Sequence, residues 1–273
     1  MEILADISQA GYEGTPPNLS IDRSAAETNE LYRQYGLHTA PPYFSARFWQ
    51  EDERDRVLAE AKRHARFVRE LGCTELYVAP NGSDDVMRSG RTRAQAAGHV
   101  EPDDSLSDEE FERFAGLLNE VGAVTLGEGV RSCFHNHVGT VIETPGELDR
   151  LLSLVDDDRV FLGLDTGHLA WAGADVTAVC RRYADRIKTM HFKDIDEDVR
   201  VRGHAESWDY RTFSRNGIFT ELGEGRVDFP TILTVLDNAG FSGWLIVETD
   251  VTQTASALES ATISRNYLRG IGV

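Results

Sequence analysis

The sequence has few cysteines and no long apolar run. Cys73, Cys133 and Cys180 are far apart and form no C-x-x-C pair, so we expect neither a disulfide framework nor a thiolate zinc site. Each is expected to be a small buried side chain in a reducing compartment. Nothing approaches the ~20 apolar residues of a membrane helix, and no cationic segment leads into an apolar signal stretch. These absences predict a cytoplasmic protein with no membrane partner.

Lysine is scarce as well, since it occurs only at Lys62, Lys188 and Lys193. The 46 acidic residues outnumber the 28 lysines and arginines, which gives a formal net charge of −18. Such a surface repels phosphate backbones, so a nucleic-acid partner is not expected. An acidic, lysine-poor surface resembles that of proteins from salt-accumulating halophiles, and an acidic soluble protein of any source is the other interpretation.

The length and the apolar periodicity indicate alternating helices and strands. A chain of 273 residues is close to the roughly 250 residues of one (β/α)8 barrel. Apolar residues recur every three to four positions over residues 52–72, as in an amphipathic helix. Ser107 with Glu110, and Thr144 with Glu147, form capping boxes that mark two more helix starts. Further helices are predicted at residues 2–10, 175–186, 228–239 and 254–268.

Short β-prone runs separate these helices. They lie at residues 12–15, 37–43, 74–79, 130–135, 160–165, 187–192 and 244–248. Strands joined by helices pair in parallel through right-handed crossovers, so a barrel or a doubly wound sheet is expected. We interpret residues 1–273 as a single TIM-type (β/α)8 barrel domain in which the first strand is missing or atypical. Residues 195–223 are too long for an ordinary connection and weakly periodic, which predicts an active-site loop or lid.

Histidines and carboxylates stand where four consecutive strands end. The carboxyl ends of barrel strands face one open side, so we expect the residues there to share a site: His135-Asn136-His137, Asp165-Thr166-Gly167-His168, His191-Phe192-Lys193-Asp194 and Glu248-Thr249-Asp250. An acid at such a point can instead cap the next helix, and a histidine can satisfy a backbone carbonyl. For Asp165 and His191, which follow apolar runs, burial without a partner would be costly. Oxygen and nitrogen ligands without a thiolate suit a divalent ion such as Mn, Co, Mg or Zn.

Five strings carry a resemblance to a known family: HNHVGTVIET, LDTGHLAWAG, MHFKD, GIFTELGEGRVDFP and GWLIVETD. From Ile3 onward the chain resembles the xylose-isomerase-like TIM barrel superfamily of sugar phosphate isomerases and epimerases, and most closely the inosose dehydratases within it. The resemblance implies a metal held by Glu143, Asp165, His191 and Glu248. Because the first family glutamate often lies inside the strand, His135 or His137 could replace or assist Glu143.

The resemblance also implies chemistry through an enolate that the metal stabilises. Glu143 and Glu248 are the expected base and acid, and Lys193 is expected to polarise the carbonyl or to assist loss of hydroxide. A rim salt bridge between Lys193 and Asp194 is the alternative for that lysine. The expected substrate-binding residues are His135, His137, His168 and Asp194, with core packing as the alternative for His168.

The string GIFTELGEGRVDFP favours an inosose-dehydratase-like lyase, whereas VIET and VETD depart from the dehydratase pattern. A ketose or sugar phosphate isomerase or epimerase therefore stays as an alternative. A non-catalytic sugar-binding barrel and an apurinic-endonuclease-like enzyme rank lower, the latter because the charge opposes DNA binding. The expected partner is a small sugar or inositol-derived substrate, and a homodimer is an expectation from similar barrels.

Overall fold

The structure is a computed structural model that describes residues 2–19 and 23–273. Within these ranges the helices are α1 (Glu2–Ala10), α2 (Ala25–Arg33), α3 (Arg54–Leu71), α4 (Asp108–Gly127), α5 (Pro145–Leu154), α6 (Thr166–Trp171), α7 (Val176–Tyr183), α8 (Glu197–Ala205), α9 (Tyr210–Arg215), α10 (Phe229–Asn238) and α11 (Ala257–Gly270). The strands are β1 (Gly14–Thr15), β2 (His38–Thr39), β3 (Tyr43–Ala46), β4 (Glu75–Pro80), β5 (Arg131–Phe134), β6 (Val160–Asp165), β7 (Ile187–Phe192), β8 (Asp194–Ile195), β9 (Phe219–Thr220) and β10 (Leu245–Val247). In these ranges, no helix combines the length and apolarity needed to cross a membrane.

Six parallel strands form the main sheet, in the order β3-β4-β5-β6-β7-β10. Strands β1 and β2 form a separate parallel pair, and β8 pairs with β9 in antiparallel fashion. All six residues of β4 are buried, as expected of a parallel strand that is covered on both faces. The predicted alternation of strands and helices is confirmed.

Local sequence signals define the helix ends. Both capping boxes are present, because Ser107 and Thr144 accept hydrogen bonds from the backbone N–H groups of Glu110 and Glu147. Gly72 ends α3 in the left-handed region, at φ 90°, which glycine adopts without steric cost. The predicted helix over residues 52–72 begins as a short 3-10 turn before it continues as α3.

The predicted strand over residues 37–43 is interrupted. It ends as β2 at Thr39, and the chain resumes extended structure only at Tyr43, in β3. Pro41 and Pro42 lie between the two strands, and a proline has no N–H to donate to a sheet. The interruption therefore has a local cause.

The barrel is not closed by hydrogen bonds in the described residues. Among the strands of the described residues, β1 pairs only with β2, and β10 pairs only with β7. A cavity of about 490 Å³ between them is lined by residues of both strands, including Gly14, Thr15 and Ile246. The described strands therefore leave a gap between β1 and β10.

Regular structure fills the segment predicted as a long loop. Residues 195–223 contain α8, α9 and β9. Asp194, just before the segment, accepts hydrogen bonds from the backbone N–H groups of Ile195, Gly223, Gly225 and Val227, at 3.0–3.1 Å. Burial raises the pKa of this carboxyl, while the four N–H groups lower it. Its contacts make Asp194 the anchor of the segment rather than a residue that faces a substrate.

We predict that Asp194→Ala destabilises the fold by roughly 3 kcal/mol, because it leaves four backbone N–H groups without their acceptor. Asp194→Asn should cost less, since an amide oxygen can still accept some of these hydrogen bonds. The matched control is Asp196→Ala, which removes the cap of α8 and should cost about 1 kcal/mol. Urea unfolding measures all three variants. Equal losses in Asp194→Ala and Asp196→Ala would contradict the anchoring role.

Candidate active site

Neighbouring strand ends bring two histidines and an aspartate together. His135 follows β5, Asp165 ends β6, and His191 lies in β7 opposite Asp165 in the strand register. One possible ligand atom of each residue lies within 4.8 Å of the others. All three side chains are buried. Parallel pairing of β5, β6 and β7 thus gathers residues that are far apart in the sequence.

Asn136 extends the pairing of β5 with β6 beyond the last strand residue. Its side-chain amide donates a hydrogen bond to the carbonyl of Asp165 at 3.2 Å and accepts one from the backbone N–H of Asp165 at 3.0 Å. Asn136 therefore fixes the backbone from which the Asp165 carboxylate projects. The position of Asn136 at a strand end was apparent from the sequence, whereas this role was not.

Each of the two histidines makes its hydrogen bond through Nδ1, so Nε2 is the atom that would bind a ligand. The Nδ1 atom of His135 lies 3.1 Å from the carbonyl oxygen of Gly163, so it carries the proton and donates. The Nδ1 atom of His191 lies 2.8 Å from Oε2 of Glu248. The Nε2 atom of His191 is buried and has no hydrogen-bond partner in the described residues. A carboxylate or carbonyl behind the imidazole is the usual arrangement of a metal-binding histidine.

Asp165 uses its two carboxylate oxygens differently. Oδ1 accepts a hydrogen bond from the backbone N–H of His168 at 2.8 Å and so caps α6. Oδ2 is buried and has no hydrogen-bond partner in the described residues, although the Nζ atom of Lys193 is 3.3 Å away. Burial raises the pKa of Asp165 to about 6, against the opposing effect of Lys193 and His191. The capping role and a free ligand atom therefore coexist in one side chain.

Lys193 is buried, with 1% of its surface exposed. Its Nζ atom lies 3.0 Å from Asp250, 3.1 Å from Glu248 and 3.3 Å from Asp165. Burial alone would lower the pKa of Lys193, but these carboxylates together raise it well above its ordinary value. The alternative of a rim salt bridge with Asp194 is wrong, since Lys193 is buried and that aspartate holds backbone N–H groups instead.

Glu248 stays ionised in this arrangement. Burial acts to raise its pKa, but Lys193 and the hydrogen bond from His191 hold the pKa well below its ordinary value. Three carboxylates and one ammonium leave two negative charges at the centre. A divalent cation would balance them, and the unpartnered atoms of Asp165 and His191 would be its ligands. The residues present therefore fit a divalent ion.

A second group of side chains adjoins the first through Lys193. The imidazole centroids of His137 and His168 are 3.8 Å apart, and these rings form a cluster with Asp250. Lys193 contacts His168 Nε2 at 3.1 Å, and the Tyr210 hydroxyl donates to Asp250 at 3.2 Å. Burial lowers the pKa of His137 to about 4, so its imidazole is neutral.

The structure does not bring Glu143 into either group. Its carboxylate oxygens accept hydrogen bonds from the backbone N–H groups of Gly98 and Gly139, both at 2.7 Å. Arg93 lies 3.7 Å away. Burial raises the pKa of Glu143 to about 7, while Arg93 and the two N–H groups lower it. Glu143 therefore links two loops through its hydrogen bonds. The residue that lies beside Asp165 and His191, where Glu143 was expected, is His135.

A cavity of about 430 Å³ reaches some residues of both groups. Its lining includes His135, His191 and Glu248, together with the aromatic rings of Tyr43 and Tyr77. Both tyrosines make edge-to-face contacts with His135. A cavity of this size suits a small polar molecule. Neither tyrosine could be predicted from the sequence as a site residue, because neither lies next to a histidine or an acid in the chain.

Comparisons with known proteins agree on one family. A sequence model of the xylose isomerase-like TIM barrel family matches residues 4–269. The chain is 29% identical over 268 residues to an inosose dehydratase of Lacticaseibacillus casei, which covers 98% of this chain and 88% of the relative. It is 33% identical over 251 residues to the rhizopine catabolism protein MocC of Rhizobium meliloti, which covers 91% of this chain and 74% of the relative.

Solved structures show the same fold. The probable 3-DHS dehydratase AsbF of Bacillus anthracis superposes with a TM-score of 0.71 at 15% identity, over 98% of this chain and 92% of that chain. The IOLI protein, whose crystal structure contains a zinc atom, superposes with a TM-score of 0.69 at 14% identity, over 99% of this chain and 92% of that chain. At such identities the likeness concerns the fold alone.

We predict that purified protein binds about one equivalent of Mn, Co or Zn, and that Asp165→Ala, His191→Ala and His135→Ala each lose most of it, because each removes one ligand. Glu143→Gln should retain the metal, since Glu143 bonds to backbone N–H groups instead. Elemental analysis after gel filtration measures the content, and circular dichroism checks the fold of each variant. Metal loss in folded Glu143→Gln with full retention in His135→Ala would reverse the assignment.

The raised pKa of Glu143 predicts a pH-dependent stability. Its pKa is about 7 in the folded protein and close to its ordinary 4.5 when unfolded, so the folded state holds the proton more tightly. The resulting stabilisation is complete below pH 4.5 and is lost as the pH rises to 7, at most about 3 kcal/mol. In urea unfolding of the metal-free proteins, the free energy of unfolding of wild type should fall by up to about 3 kcal/mol relative to that of Glu143→Gln as the pH rises from 4.5 to 7.5. A constant difference would contradict it.

Proposed function

This chain belongs to the xylose isomerase-like TIM barrel family, and on that premise we propose that it is a divalent-metal-dependent dehydratase that acts on an inosose, a ring ketone bearing hydroxyl groups. The observation that carries the proposal is the pair of buried ligand atoms on Asp165 and His191 that have no hydrogen-bond partner among the described residues, beside the buried ammonium of Lys193. The relatives named inosose dehydratase support the choice of substrate.

Asp165, His191 and His135 would hold the metal, and Glu248, hydrogen-bonded to the Nδ1 atom of His191, would orient that ligand. The IOLI protein, which has the same fold, contains zinc in its crystal structure, and Mn, Co or Mg would also accept oxygen and nitrogen ligands. Bound there, the ion would stabilise negative charge on a substrate oxygen. We place His135 in the position for which the sequence suggested Glu143, because the Nε2 atom of His135 is left free by its hydrogen bond to Gly163.

The acid and base are Lys193 and Glu248. The ionised carboxylate of Glu248 lines the cavity and takes the proton from the carbon beside the carbonyl. The electron pair of that bond forms the new double bond as the β-hydroxyl leaves, and Lys193 gives the hydroxyl the proton with which it departs as water. Lys193 Nζ is 3.1 Å from Glu248 Oε2, so the proton can return directly. Both groups are then restored.

Loss of water needs an acid that protonates the departing hydroxyl. An isomerisation expels no hydroxyl and so does not need this acid. A phosphorylated sugar would need more positive charge near the cavity than one lysine provides. Among the described residues that line the cavity at the site, none is an arginine. The site therefore favours an unphosphorylated ketone and loss of water over the isomerase or epimerase alternative.

We predict that metal-loaded protein converts 2-keto-myo-inositol to an unsaturated product with loss of one water, which ultraviolet absorbance and NMR in deuterated water detect. Lys193→Met should lower kcat roughly 100-fold or more, because it removes the acid that assists departure of the hydroxyl. Lys188→Ala is the matched control, since that lysine is outside the site and contacts the carbonyl of Asp185.

Unchanged turnover in metal-loaded Lys193→Met would remove this role of the lysine. Proton exchange without loss of water would identify the enzyme as an isomerase or epimerase. If no inosose, ketohexose or hydroxypyruvate reacts with any of Mn, Co or Mg, the proposed activity is wrong and a sugar-binding barrel becomes the better account.

A further inference from the structure

A second cavity, of about 290 Å³, lies beside the one at the candidate metal site. The two cavities share Tyr43 and His137. The rest of the second lining comes from Ser45 in β3, from Pro80 at the end of β4, from the loops that follow β4 and β5, and from Tyr210. It therefore lies on the same face as the candidate site. The proposed acid, base and metal ligands are not part of its lining.

One side chain in this cavity has an unused hydrogen-bond acceptor. Asn81 lines the cavity, and its Oδ1 atom is buried without a hydrogen-bond partner in the described residues. Buried amide oxygens nearly always have a donor, so a bound molecule is the natural source of one. Ser45 and Ser83 add hydroxyl groups to the same lining.

The walls of the cavity are fixed by contacts that do not touch the metal ligands. Gly139 lines the cavity, and Glu143 holds it by accepting its backbone N–H at 2.7 Å. The carbonyl of Ala94 accepts a hydrogen bond from the backbone N–H of Tyr210 at 2.8 Å, and the backbone N–H of Ala94 donates one to the carbonyl of Ser83 at 3.0 Å. The cavity is thus built by the fold, and Glu143 gains a structural role there.

The lining shows which chemistry the cavity accepts. Among the described lining residues none is lysine, arginine, aspartate or glutamate, so a phosphate or ammonium group would be unpaired there. The rings of His137 and Tyr210 are stacked, with centroids 5.9 Å apart, and offer a flat surface to the C–H face of a ring. Hydroxyl groups on an uncharged carbon ring match both features.

We propose that this cavity is a second subsite, which binds the hydroxyl-bearing carbons of the substrate remote from the carbonyl, with Asn81 as its specificity-determining residue. The proposal rests on the proposed function, because it assigns the far side of the same substrate. Asn81 Oδ1 accepts a hydrogen bond from a ring hydroxyl. The nearby hydroxyls of the substrate stay at the candidate metal site.

Two ketones separate this role from a general structural one. The first is 2-keto-myo-inositol, and the second is 2-hydroxycyclohexanone, which keeps the carbonyl and its neighbouring hydroxyl but has no remote hydroxyls. Proton exchange in deuterated water follows both. Asn81→Ala should raise KM for the inosose about tenfold, the cost of one lost hydrogen bond, with kcat nearly unchanged and no change for the second ketone. Asn81→Ser, which keeps an uncharged acceptor, should recover part of the inosose KM.

Asn238→Ala is the matched control, since that asparagine is exposed at the end of α10. Equal effects of Asn81→Ala on both ketones, or none on either, would overturn the subsite. If wild type acts on neither ketone, the proposed function fails separately, and calorimetry with myo-inositol then decides the subsite alone. Binding of myo-inositol that is about tenfold weaker in Asn81→Ala than in wild type supports the subsite. Equal binding in the two proteins, or no binding in either, overturns the subsite.

Discussion

The buried ammonium of Lys193 is the interaction on which the site depends. It lies within 3.3 Å of carboxylates from Asp165, Glu248 and Asp250, which belong to or follow β6 and β10, while the lysine itself follows β7. Each buried charge costs several kcal/mol unless an opposite charge is near. One ammonium cannot balance three carboxylates, and the remaining negative charge faces two histidines whose free nitrogens are suited to a metal. The fold thus forms a candidate site for a divalent cation whose ligands are histidine and carboxylate side chains and include no cysteine.

Much of this arrangement follows from sequence because parallel strands have simple rules. The bounds of β6 and β7 agree with the predicted strands, and strand ends in such a fold face one side. Asp165, His191 and Glu248 could therefore be expected together before their contacts were known. The family resemblance is confirmed by the match over residues 4–269. The roles of the individual site residues stay predictions that the geometry supports.

The residues that sequence reasoning misplaced have partners far along the chain. The resemblance implied Glu143 as a metal ligand, yet its oxygens accept hydrogen bonds from Gly98 and Gly139. The contact with Gly98 spans 45 positions of the chain, so no local sequence pattern predicts it. Asp194 was expected to bind substrate, but it holds N–H groups about thirty residues away. Tyr210 lies in a weakly periodic segment whose two helices have little amphipathic pattern to reveal them. Long-range hydrogen bonds of this kind appear only when the chain is folded.

Pulsed electron paramagnetic resonance of the manganese-loaded protein detects nitrogen nuclei bound to the ion, so it can show directly whether these histidines are its ligands. We expect couplings from two imidazole nitrogens, those of His135 and His191, and a single remaining coupling in His135→Ala loaded at higher metal concentration. Absence of any nitrogen coupling in wild type, or an unchanged signal in His135→Ala, would contradict the assignment of these strand-end residues to one cation.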